Sequence, residues 1–118
     1  MTGRPLLTFA VITYNQAEYA AQAAQAALSQ TYAPLEIILS DDRSPDDTFA
    51  TLQHAAETYR GPNRVIVRQT GHNLGLIGHI NDIMRLAQGQ LVIIAAGDDI
   101  SLPQRAQRIY ETDRKSVV

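Results

Sequence analysis

Two aspartate doublets are the residues in this chain best placed to do chemistry. Asp41-Asp42 follows the apolar run Leu35-Glu36-Ile37-Ile38-Leu39-Ser40, and Asp98-Asp99 follows Leu91-Val92-Ile93-Ile94-Ala95-Ala96. Each run reads as a buried strand, so each doublet emerges at a strand's carboxyl end, the edge where open α/β sheets bind ligands. Two unit charges about 4 Å apart repel by about 4 kcal/mol at a surface-like dielectric. Four carboxylates gathered on one edge therefore call for a positive group between them. A divalent cation carrying a phosphate-bearing ligand is the expected relief.

Other residues extend that reading. Tyr14 has a ring that can stack on a base, Asp42 can accept from a base amide or a ribose hydroxyl, and Asp98 can hold a metal that bridges two phosphates. One doublet alone reads equally well as a turn cap, since aspartate favours turns and N-caps. Two at equivalent strand ends favour the ligand. His54, His72 and His79 match no metal-site spacing and read as surface or loop residues, with contact to ligand the lesser alternative for His72 or His79, which flank the glycine loop. Gly71, Gly75 and Gly78 do not form the GxGxxG fingerprint and read as turn glycines. Arg43, Arg68 and Arg105 have the chemistry to meet phosphate, although a solvated charge is the commoner fate of a single arginine.

The elements that must position these groups alternate. Leu6 to Thr13 is apolar and β-branched and reads as a first strand; Ala17 to Gln30 is alanine-rich without Gly or Pro and reads as a helix. Pro34 stops that helix before the second strand. Ser44-Pro45-Asp46-Asp47 reads as a helix start, with a capping serine, a proline at the first helical position and acids at the positive end of the dipole. That helix should reach about Tyr59. Gly61-Pro62-Asn63 breaks it, Arg64 to Arg68 makes a third strand, and a glycine loop leads to a helical stripe of Ile80, Ile83, Met84 and Ala87. Leu91 to Ala95 is the fourth strand, and Ser101-Leu102-Pro103 opens a last helix that fades near Asp113. A β-α-β-α-β-α-β-α order predicts one Rossmann-like α/β unit with a mostly parallel sheet and right-handed crossovers.

Bulk properties bound the function. The 118 residues suffice for one domain with a real core, and 45% hydrophobic with 19% charged residues is ordinary for a globular protein. A net charge of -2 gives no support for nucleic-acid binding, and the absence of cysteine excludes thiolate catalysis, thiolate zinc sites and disulfides. No apolar stretch approaches the roughly 20 residues of a membrane span, and Met1 to Pro5 leads into nothing like a secretory signal.

Read in order, several strings resemble the amino-terminal half of family 2 glycosyltransferases. They are Val11-Ile12-Thr13-Tyr14-Asn15, Leu28-Ser29-Gln30-Thr31-Tyr32 and Glu36-Ile37-Ile38 into Asp41-Asp42-Arg43-Ser44-Pro45-Asp46-Asp47-Thr48, then Asn73-Leu74-Gly75, Asn81, Ala87-Gln88-Gly89 and Gly97-Asp98-Asp99 with Pro103. The resemblance runs from about Leu6 to Ile109. It implies a GT-A fold and an inverting transfer from a nucleoside-diphosphate sugar, most often a UDP-sugar, with Mn²⁺ or Mg²⁺ on the diphosphate. Position by position, Thr13, Tyr14 and Asn15 would border the base, Asp42 would contact the nucleoside, and Asn73, Gly75 and Asn81 would belong to the nucleotide-sugar site. Asp98 would bind the metal and Asp99 would support the loop or the sugar end of the donor.

Two positions depart from the pattern. Ala96 stands where the family's D-x-D motif has its first acid, and Arg43 stands where a small residue, often glycine, usually follows the doublet. The resemblance also implies a general base and an acceptor site, for a sugar or lipid-linked acceptor, beyond the residues present, since the chain stops about one helix after Asp99. The expected unit is thus a donor-binding half, catalytically incomplete alone, prone to self-association through uncovered apolar surface, and cytoplasmic or at the inner membrane face. The alternatives are a non-catalytic interaction module on the same scaffold and a receiver or flavodoxin-like signalling domain. The latter needs its acidic pair after the first strand, where this chain has Thr13-Tyr14-Asn15.

Overall fold

The computed structural model describes residues 3–115 and alternates four strands with four helices: β1 (Leu7–Thr13), α1 (Ala17–Leu28), β2 (Leu35–Asp41), α2 (Thr48–Thr58), β3 (Arg64–Gln69), α3 (Gly75–Leu86), β4 (Val92–Ala96) and α4 (Arg105–Lys115). The strands form a single all-parallel sheet in the order β3-β2-β1-β4. The expected Rossmann-like alternation is therefore what the chain adopts. Every residue of β1 and β2 is buried, which explains their continuous apolar runs: a central parallel strand is covered on both faces and has no solvent side to mark with polar residues.

The two faces are filled unequally. Leu7, Phe9 and Val11 of β1 with Leu35, Ile37 and Leu39 of β2 point into the larger core, where they meet α1, α2 and α4. Ala20, Ala23, Ala24 and Ala27 are the buried side chains of α1 besides Leu28, and their small size lets the helix lie close on the sheet. Ala10, Ile12 and Ile38 point the other way into a smaller core closed by Ile83 of α3. The chain thus steps outward from β1 to β3 with α1 and α2 on one face. Through α3 it returns across the opposite face to lay β4 on the far side of β1. The strand order reverses between β1 and β4, and such a switch point opens a crevice at the strands' carboxyl ends.

Register aligns those ends. Thr13 pairs with Asp41, Asp41 with Gln69, and Ile12 with Ala96, so the segments after β1, β2, β3 and β4 all leave from one edge. At that edge Gly97 is forced to be glycine by space: a Cβ there would lie 2.4 Å from Gln16 Oε1 and 2.8 Å from Thr13 Cγ2. The turn after β4 therefore packs directly on the end of β1. Gln30, read only as the end of the first helix, is a buried clamp for α4; its amide donates to the Leu102 carbonyl at 2.8 Å and accepts from the Ala106 N–H at 2.9 Å.

Three helix starts differ from the sequence reading: the last helix begins at Arg105, past Ser101-Leu102-Pro103, and the other two have a visible cause. The second helix begins at Thr48 and not at Pro45, because Ser44 is used elsewhere: its N–H and hydroxyl both donate to Asp41, and its oxygen accepts the Asn15 N–H at 2.7 Å. The third begins at Gly75, five residues before the apolar stripe at Ile80, because the Asp42 carboxylate accepts the first free N–H groups and so caps it from across the edge.

Candidate functional site

The two members of the first doublet do different work. Asp41 is fully buried at the end of β2, where its carboxylate accepts from the Thr13 hydroxyl at 2.9 Å, the Ser44 N–H at 2.8 Å, the Ser44 hydroxyl, and the Gln69 amide at 3.2 Å. It ties β1, β2 and β3 together. Asp42, also buried, accepts from the Thr70 hydroxyl and the Leu74 N–H on Oδ1, each at 2.8 Å, and from the Gly75 N–H on Oδ2 at 2.9 Å. The Asn73 amide holds the Asp42 carbonyl at 3.0 Å. Gly75 has φ +79°, a left-handed conformation that favours glycine.

The second doublet is exposed. Asp99 pairs with Arg105 at 3.1 Å, and Arg105 is also bound to the Ser101 hydroxyl at 2.8 Å. Asp98 is exposed, and among the described residues no group bonds to its carboxylate. The expected convergence of four carboxylates is thus not what the fold produces. Asp41 and Asp42 are turned into hydrogen bonds that organise the edge, Asp99 is neutralised by Arg105, and among the described residues no three acidic or histidine side chains are grouped to hold a metal.

A cavity of about 230 Å³ opens at the switch point. Ile12, Thr13, Tyr14 and Gln16 from the end of β1, Asp42 after β2, Leu76 and His79 of α3, and Ala96 of β4 line it. Of the site residues expected from the sequence, the fold gathers Thr13, Tyr14 and Asp42 here, together with Ala96 and His79. The Thr13 hydroxyl is spent on Asp41 and the Ser40 carbonyl, whereas the Tyr14 ring is half exposed. Asn15 is exposed with φ +55° and does not line the cavity. Asn73 and Gly75 stand behind it and hold Asp42. Asn81 is exposed on α3, away from the cavity walls. Asp99 borders a separate cleft with Ile100, Leu102, Arg105, Arg108 and Ile109. Asp98 leaves from the same sheet edge as Asp42, with β1 between their strands, which is two strand spacings or about 10 Å.

None of the three arginines singled out is free to wait for phosphate. Arg43 donates to Gln69 at 3.0 Å and to the Gly71 carbonyl at 3.3 Å, Arg68 is paired with Asp82, and Arg105 with Asp99.

His79, read chiefly as a surface or loop residue, is instead buried. It is 2% exposed, it lines the cavity, and its Nε2 lies 2.7 Å from the Ser40 hydroxyl. Ser40 in turn accepts from Arg68 at 2.8 Å. Burial pushes the imidazole pKa below its ordinary value; Asp42 opposes this, Arg68 adds to it, and Asp82 and Asp41 oppose it more weakly. A signal was present: Ser40 falls on the Ile38 face of β2, and His79 lies four residues before Ile83 on the buried stripe of α3. Two polar residues facing each other across a small core predict a bonded pair.

Comparison with known proteins shows the family of the chain. The family model for glycosyl transferase family 2 matches residues 8–116. The chain belongs to that family. An uncharacterized protein of Mycobacterium tuberculosis is 36% identical over 89 residues, covering 75% of this chain and 25% of its own length. The mannosyltransferase PcManGT of Pyrobaculum calidifontis, solved in complex with GDP-Man and Mn²⁺, is 28% identical with a TM-score of 0.70, covering 82% of this chain and 28% of that one. The S. aureus TarS 1-349 structure in complex with UDP-GlcNAc is 22% identical with a TM-score of 0.76, covering 92% and 31%. This family 2 chain therefore spans about a quarter to a third of these three proteins, and the sheet and helices have the expected GT-A arrangement.

A divalent cation fits the residues present. Mg²⁺ and Mn²⁺ take hard oxygen ligands and are commonly held by one or two carboxylates together with substrate phosphates, so an exposed, unpaired Asp98 on the sheet edge that carries the cavity is an adequate protein share. Among the described residues no helix is long and apolar enough to cross a membrane.

Proposed function

We propose that this chain is the donor-binding half of a glycosyltransferase that takes a nucleoside-diphosphate sugar, most often a UDP-sugar. The observation that carries the reading is the cavity at the switch point. It has an aromatic wall at Tyr14 and a buried carboxylate at Asp42, and Asp98 lies unpaired about two strands away on the same edge. That spacing suits a nucleoside in the cavity with its diphosphate running towards Asp98. PcManGT with GDP-Man and Mn²⁺ and TarS with UDP-GlcNAc support the same ligand class.

In this reading Tyr14 stacks on the base, Asp42 accepts a base N–H, and Asp98 holds Mn²⁺ or Mg²⁺. The metal, when bound, neutralises the diphosphate as a leaving group. Asp99, fixed by Arg105, stiffens the loop that carries Asp98. Asn15, Asn73, Gly75 and Asn81 act through the backbone of this edge or at its rim. Transfer breaks the bond between the anomeric carbon and the diphosphate and forms one to an acceptor oxygen with inversion; the acceptor proton goes to a general base. The acids at this edge are engaged or committed to metal, so the base belongs to the part of the relatives that this chain does not span.

The test is an assay of nucleotide release with a panel of sugar donors and hydroxyl acceptors, on the 118-residue chain and on a chain about a hundred residues longer. The reading predicts nucleotide binding by both and acceptor-dependent transfer only by the longer. Robust transfer by the short chain overturns the assignment of the base, and absence of nucleotide binding in both overturns the function.

A further inference from the structure

Resting on the reading that the cavity holds a nucleoside, we propose that His79 is a base-reading residue. Its Nδ1–H donates to a ring carbonyl of the base while Asp42 Oδ2 accepts the neighbouring ring N–H. The recognised ligand is then a nucleoside diphosphate whose base presents an N–H beside a C=O, as uracil and guanine do.

The tautomer follows from Ser40. Arg68 can only donate, and it gives a proton to Ser40 Oγ at 2.8 Å. The Ser40 hydroxyl has one proton of its own and is fully buried, with His79 Nε2 at 2.7 Å. If Nε2 carried the hydrogen, the Ser40 proton would have no acceptor among the described residues. Ser40 therefore donates to Nε2, and a neutral ring keeps its hydrogen on Nδ1. Burial, which lowers the pKa of the ring, supports the neutral form.

The direction of Nδ1 follows from what remains. Among the described residues no side-chain nitrogen or oxygen is both buried and without a partner, yet Nδ1 of this almost wholly buried residue bonds to nothing. Nδ1 must reach open space, and the open space that His79 borders is the cavity. Asp42 completes the pattern. Its Oδ1 takes two hydrogen bonds but its Oδ2 only one, from Gly75, so a lone pair on Oδ2 is left over in a carboxylate that lines the same cavity. One donor and one acceptor, set between the apolar walls of Ile12 and Leu76 and the ring of Tyr14, match an imide or lactam edge.

Two substitutions separate a ligand contact from a structural one. Asparagine puts its amide nitrogen near the place of Nδ1, and glutamine can put its amide oxygen near that of Nε2, where it accepts the Ser40 proton. His79→Asn thus keeps the cavity donor and loses the Ser40 bond, whereas His79→Gln does the reverse. Titration calorimetry with UDP and Mn²⁺ on the intact protein, paired with thermal melts, should show His79→Gln weakened about tenfold, the size of one hydrogen bond. His79→Asn should bind within about twofold of the parent while melting lower. Parent-like binding by His79→Gln, or an equal loss in both variants, overturns the proposal. Should the variants not fold, the unmodified protein decides: CDP carries a lone pair in place of the ring N–H and should bind about tenfold more weakly than UDP, and equal binding of the two refutes the pattern. If the parent binds no nucleotide at all, the underlying reading has failed.

Discussion

The Asp42 carboxylate and the Gly75 backbone define each other: Gly75 donates its N–H to Oδ2 at 2.9 Å while lying at φ +79°, and this contact both starts α3 and aims Asp42 at the cavity. A Cβ on Gly75 would meet nothing within 4 Å, so the cost of adding one is conformational. Gly75→Ala should therefore destabilise the fold by about 1–2 kcal/mol, the penalty of an L-residue in the left-handed region. Urea unfolding measures it, and a neutral result would mean that the backbone relaxes out of this conformation.

Arg43 makes the opposite case. It sits at φ +62°, which gives a physical reason for the glycine common at this place in the family. Arg43→Gly relieves the strain but gives up the bonds to Gln69 and Gly71, so its net effect should be within about 1 kcal/mol of neutral. Arg43→Val, β-branched at positive φ, should lose about 2 kcal/mol or more. Denaturation midpoints of the two variants test the contrast.

The doublet should separate cleanly on mutation. Asp41→Ala removes an acceptor that serves Thr13, Ser44 and Gln69 in a buried setting, so about 3 kcal/mol of stability should go with it. Asp98→Ala removes an exposed side chain with no partner among the described residues and should leave stability within about 0.5 kcal/mol while abolishing metal-dependent nucleotide binding. A large stability loss at Asp98 would contradict its placement.

Much of this was legible in the sequence, and the reasons are specific. The runs Leu7 to Thr13 and Leu35 to Ser40 are apolar on both faces, and a central parallel strand needs that, so the element order and the parallel sheet could be read directly, while the strand order β3-β2-β1-β4 could not. The strand ends fixed the edge as well. What the sequence concealed was how each carboxylate is spent. Asp41, Asp42 and Asp99 look alike in a string, but their partners Thr13, Thr70 and Arg105 lie 28, 28 and 6 residues away, and only the fold shows those distances closing. Start signals misled in part for the same reason: Ser44 resembles a cap, yet Asp41 three residues back and the Asn15 N–H 29 residues away claim it. The Ser40–His79 pair was hidden because it joins a strand face to a helix stripe 39 residues apart.

His79 also gives the fold a pH dependence of known sign. Burial lowers its pKa, so the unfolded chain takes up the proton more readily than the native one. The contribution is fully present above the unfolded value near 6.5 and is lost as pH falls through that value towards the lower native one. Melting temperature should therefore drop more between pH 8 and pH 5 for the parent than for His79→Gln, whose side chain does not titrate. Parallel curves would contradict burial of a neutral imidazole.

The central claim is that Asp98 and a divalent cation hold a nucleoside diphosphate at the carboxyl edge of this sheet. The most direct measurement is calorimetric titration of UDP in Mn²⁺ and in EDTA, for the parent and for Asp98→Asn. The account predicts binding by the parent in Mn²⁺, a loss of at least about tenfold in EDTA, and weak, metal-independent binding by the variant. Equal affinity of the parent in Mn²⁺ and EDTA would contradict it.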